Sequence, residues 1–74
     1  MTTNQAAYLQ ANAAVAAYDS FIFAAVGRPF NAAQADALAA SAVVACEVAS
    51  RDRSVNQFTR DFYRDQAAQF RAIL

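Results

Sequence analysis

An all-α fold, a small three-helix domain, is what this 74-residue sequence predicts. Three observations carry the expectation. Twenty-one residues are alanine, Gly27 and Pro29 are the only residues of their kinds, and Asn31/Gln34 and Ser54/Gln57 have the spacing of helix-initiating pairs. Alanine loses no side-chain entropy in a helix, whereas glycine and proline interrupt one. Helices are expected at about 4–26, 32–50 and 55–73 within one domain spanning 1–74.

The first helix should start at an N-cap, Thr3 or Asn4, and end at Gly27, which supplies a left-handed residue before Arg28 and Pro29 turn the chain. At about 100° per residue, Tyr8, Val15, Ile22 and Val26 form one stripe, flanked by Tyr18, Phe23 and Leu9, and this predicts the core face. The opposite side carries Ala13, Ala17 and Ala24 with Phe21 beside them, where a surface helix would be charged. These four residues are therefore a candidate self-association face, and a homo-oligomer is expected. Asn12 and Asp19, seven residues apart inside the apolar stripe, read as buried polar groups. They would fix register by bonding to tyrosine hydroxyls or an arginine such as Arg28 across a helix interface.

Asn31 and Gln34 make a capping-box pair for the second helix. Ala35, Leu38, Ala42, Ala45 and Ala49 share its buried face, while Asp36, Val43, Glu47 and Ser50 share another. A face of methyl groups lets helix backbones approach closely, which predicts an alanine-rich antiparallel hairpin with the first helix. The third helix should start at a Ser54/Gln57 capping box after the charged turn Arg51, Asp52, Arg53. It is amphipathic: Val55, Phe58, Phe62, Gln66, Phe70 and Ile73 share one arc, with Tyr63 and Leu74 at its edge. Arg60, Arg64 and Arg71 line the other side and can pair with Asp61 and Asp65. With Tyr63 and Leu74, those three arginines form the candidate partner-binding surface, because arginine and tyrosine are enriched at binding hot spots.

Composition also excludes chemistry. Histidine and lysine are absent, and six arginines balance six carboxylates to a formal net charge of zero. General acid–base work has no histidine to use, Asp61/Asp65 is the only carboxylate pair four apart on a helix, and one glycine cannot build a phosphate loop. The chain is expected not to be an enzyme and to take no cofactor or metal. Cys46 is alone and expected in the core. The N-terminal segment lacks the basic region of a signal peptide, and Asn12, Asp19 and Ser20 interrupt the apolar stretch before the roughly 20 residues of a membrane span. A soluble, cytoplasmic protein without a membrane partner is the expectation. Arginine as the sole cation beside so much alanine suits a GC-rich bacterial or phage genome.

Ala45, Ala49, Val55 and Phe58, with Val48, resemble a helix-turn-helix in the spacing of its core residues. The resemblance implies DNA reading by residues 51–60, with Arg51, Arg53, Asn56, Gln57 and Arg60 at the bases and phosphates. The stretch departs from the motif at Ala49, where the turn usually has glycine, and at Asp52, which would repel phosphate. Zero net charge also disfavours nucleic acid. The leading expectation is a stoichiometric protein–protein interaction module, either a small assembly component or an inhibitor or adaptor bound to a partner protein.

Overall fold

Local signals set the helix ends. Gly27 takes φ +76° after the last turn of the first helix, and the Asn31 side chain accepts a hydrogen bond from Gln34 N at 3.1 Å to open the second. A computed structural model describes residues 3–29 and 31–74, with side chains from residue 7 onward, and contains α1 Thr3–Ala24, α2 Ala32–Ser50 and α3 Gln57–Ala72. The N-cap expected at Thr3 or Asn4 falls on side chains outside the described residues. α3 starts later than the Ser54/Gln57 pair predicts, because Asn56 is its N-cap and accepts from Thr59 N at 2.8 Å. Ser54 instead closes the turn: its backbone N and its hydroxyl both donate to Asp52 Oδ1, at 3.0 and 2.6 Å. A short aspartate side chain that captures the backbone two residues on competes with helix, and the 51–56 segment stays a turn.

α2 is the shared partner. Ala11 of α1 meets Cys46 and Ala49 of α2 beside Tyr63 and Ala67 of α3, while Ala14, Val15 and Tyr18 meet Ala39, Ala42 and Val43 beside Phe70. α1 and α3 thus both run antiparallel to α2 and parallel to each other. The methyl-lined face of α2 lets both neighbours approach closely, and the rings of Tyr63 and Phe70 span the remaining distance from α3 to α1. The body that results is flat, with extents of 41 × 26 × 16 Å.

Two faces are rotated from the sequence expectation. On α1 Ala11 is buried and Ala7, Ala14, Val15, Tyr18, Phe21, Ile22 and Ala25 are half-buried, so Val15 and Ile22 of the predicted stripe keep to the inner side, while Tyr8, Leu9, Phe23 and Val26 are exposed. On α3 the buried residues are Tyr63, Ala67 and Phe70, while Phe58, Phe62 and Ile73 face outward. The reason is distance. Only faces that include alanine sit close against the alanine face of α2, so Ala11 and Ala67 determine the rotation rather than the larger side chains. Val43 is likewise buried rather than grouped with Glu47 at the surface.

Cys46 is fully buried, as its position on an alanine face predicts. Among the described residues one helix, α2, is long and apolar enough to cross a membrane by length and composition, whereas Asn12, Asp19 and Ser20 interrupt the stretch that forms α1. Core helices pass the same test, and α2 is the helix on which both others pack.

Candidate functional site

Tyr63 lies at the junction of all three helices and organises the open seam between α1 and α3. It is 3% exposed, and its hydroxyl donates to Asn12 Oδ1 across the seam at 2.6 Å. Tyr8 meets its ring edge-on at 5.6 Å between centroids, and Phe62 does so at 5.1 Å. Burial pushes the Tyr63 phenol up to about 12, and the neighbouring Tyr8 adds to the shift. The proton on the phenol is therefore firmly held through neutral pH, and the group is a hydrogen-bond donor rather than an acid for chemistry. Further along, Tyr18 packs edge-on against Phe70 at 5.1 Å.

The outer edge of this seam is apolar at both ends. Tyr8, Phe58 and Phe62 are exposed at one end, Phe58 to 82%, and Ile73 and Leu74 are exposed at the other. Phe23, also 82% exposed, and Val26 extend the second end along α1. Between them a shallow hollow of about 250 Å³ is lined by Val15, Asp19, Gln66, Gln69, Phe70 and Ile73. The sequence places Phe58, Phe62 and Ile73 on one amphipathic arc with Phe70, and of these four only Phe70 is buried. Their periodicity was visible, but nothing local distinguishes an apolar stripe that is buried from one left outside.

The predicted site residues are distributed unevenly. Asn12 makes the inter-helix bond to a tyrosine hydroxyl that its position suggested, although the residue itself is exposed rather than buried. Asp19 is exposed at the rim of the hollow, not buried in an interface. Among the proposed partner-binding residues, Tyr63 belongs to the core. Arg64 is exposed and pairs with Asp61 at 3.2 Å and Asp65 at 3.9 Å, the solvated pairing expected of that face. Arg71 is held by Glu47 of α2, and Leu74 is exposed. Arg60 is partly buried: it donates to Gln57 Oε1 at 2.9 Å, while its buried Nε has no partner among the described residues. Of the proposed self-association face, Ala13, Ala17 and Ala24 are exposed, whereas Phe21 turns to the half-buried side. There, with Ala24, Ala25, Arg28, Pro29, Asn31 and Gln34, it lines a hollow beside the first turn.

The residues of the DNA-reading alternative are largely engaged within the chain. Asn56 caps α3, Gln57 Nε2 donates to Asp61 Oδ1 at 2.7 Å, and Gln57 Oε1 accepts from Arg60. The amides that would read base edges are thus bonded at home. α3 also lies along α2 from Ala49 and Tyr63 to Ala39 and Phe70, whereas a helix-turn-helix sets its two helices at about 90–120°. Arg51 and Arg53 remain exposed. Among the described residues no three His, Cys, Asp or Glu side chains cluster to hold a metal. No family model matches the chain, and no curated protein or solved structure matches it either.

Proposed function

We propose that this chain is a non-catalytic interaction module that acts by stoichiometric binding to protein, and that it binds through the α1–α3 seam. The observation that supports this reading is the inversion of its large apolar residues. Phe58, Phe62, Phe23, Ile73 and Leu74 are outside, while the fully buried positions are taken mainly by alanine. Exposed apolar patches mark interaction surfaces, and the exposed rings, the strongest anchors, are on α1 and α3 rather than beside Val44 and Val48 of α2. Arg64 and the Arg71–Glu47 pair give the neighbouring face a polar border. Asparagine, glutamine and aspartate in the middle of the seam add orientation to that apolar contact.

Photo-crosslinking tests the proposal. A benzophenone amino acid at position 62, introduced in the cells that make the protein, is expected to give discrete protein adducts. The same group at Ser41, on the exposed side of α2, is expected to give few. Adducts from position 41 and none from position 62 would place binding elsewhere, and no adduct from either would remove the reading.

A further inference from the structure

Resting on that reading, we propose that the protein bound at the α1–α3 seam is a second copy of this chain, related by a two-fold axis that sets the two seams antiparallel. Area is the first argument. The chain exposes 5056 Å², whereas a folded monomer of 8.0 kDa exposes about 4,450 Å² by the scaling of surface with mass. That excess of roughly 600 Å² belongs to the flat body as a whole, and it leaves the chain with surface of the order that one partner contributes to a stable interface, about 800 Å². The second argument is charge. The formal net charge is zero, so two copies meet without net repulsion, and near-zero charge favours association. The third is pattern. Along α3 the seam runs apolar at Phe58 and Phe62, polar at Gln66 and Gln69, and apolar again at Ile73. A two-fold axis near Gln66 sets the phenylalanine end of each copy on the isoleucine end of the other and brings the glutamines together in the middle. That self-matching is what an isologous contact requires. The exposed valines of α2, Val44 and Val48, lie on the opposite side of that helix from its buried face and stay outside this pairing.

The test is the absolute mass of the full chain by light scattering over a concentration series, for wild type, the Phe58→Glu/Phe62→Glu double variant and Val44→Glu. Wild type and Val44→Glu are expected at twice the 8.0 kDa of the chain, and the double variant at one chain mass with its helical circular dichroism retained. If the double variant does not fold, Gln66→Cys serves instead. Mild oxidation is expected to join it into a covalent dimer of native helicity, while Ser41→Cys stays single. A folded wild type that is monomeric throughout the series overturns the proposal, as does a dimer that Val44→Glu breaks and the double variant does not. A monomeric wild type that still gives adducts to another protein from position 62 would reject the second copy and keep the protein-binding reading. A monomer without adducts would remove both.

Discussion

Tyr63 has a hydroxyl at the seam and a ring in the core, and its energetics follow from both. Its bond to Asn12 crosses 51 positions of sequence, and Tyr63→Phe should cost about 1 kcal/mol, the net contribution of one such bond. The pH dependence has a definite sign. The phenol is raised in the folded chain from an ordinary value of 10.0 to about 12, so between those values the unfolded chain has lost a proton that the folded chain retains. Stability is therefore complete below about pH 10 and falls as pH rises towards 12, by up to about 2–3 kcal/mol. Urea unfolding of wild type and Tyr63→Phe at pH 7 and 11, at one protein concentration, checks both statements. The variant should be the weaker at pH 7 and should lose less on moving to pH 11. Cys46 offers a second residue-scale test. Burial pushes its thiol up from 9.0, and because the thiolate is the reactive form, a chromogenic disulfide reagent should label it only once urea unfolds the chain. Prompt labelling of the native protein would contradict the packing of Cys46 between Ala11 and Tyr63.

At the scale of the element, helix ends are local events and were legible. Asn31 caps α2 where its spacing to Gln34 said it would, and Gly27 is left-handed as expected, although α1 ends at Ala24, two residues before the expected end at 26, and a turn leads to the glycine. Nothing lies within 4 Å of a Cβ built on Gly27, so Gly27→Ala should cost about 1 kcal/mol through backbone conformation alone, and Gly27→Asn less. The start of α3 was misplaced because Ser54 and Asn56 are both good caps, and the choice between them was made by Asp52, which takes the Ser54 hydroxyl. Accordingly Asn56→Ala should cost about 1 kcal/mol and Ser54→Ala less than about 0.5 kcal/mol, measurable by urea unfolding. The rotation of α3 was not legible. Its sequence has an apolar arc of Val55, Phe58, Phe62, Gln66, Phe70 and Ile73, of which Phe70 is buried and Phe58, Phe62 and Ile73 are not, and a margin beyond it formed by Tyr63 and Ala67, both buried. Periodicity weighs both by size, whereas the partner helix selects by closeness of approach. The same holds for α1, where Ala11 is at the contact and Phe23 is not. Asn12 could be assigned as an inter-helix bond from sequence because tyrosines were the available partners, but its exposure depends on the open seam, which no local pattern encodes.

For the whole molecule, the consequence of an alanine-lined core is economy inside and apolar surface outside. A single core of this size rarely stabilises a fold by more than about 3–5 kcal/mol, and among the described residues its buried rings are Tyr63 and Phe70, with Tyr18 packed against Phe70. With zero net charge and the amides of Asn56 and Gln57 bonded within the chain, salt-sensitive retention on DNA should be weak. It should change little in Arg51→Ala/Arg53→Ala, and strong retention abolished by that pair would instead support nucleic-acid binding. Covering the seam with a second copy ties stability to concentration, because whatever binds the folded chain alone stabilises it by mass action. The most direct measurement is therefore the urea midpoint of the wild-type chain across a hundredfold range of protein concentration, beside Phe58→Glu/Phe62→Glu. A dimer formed through the seam predicts a wild-type midpoint that climbs with concentration, by about 2.7 kcal/mol per dimer over that range, and a flat response in the double variant. A wild-type midpoint that does not move would contradict it.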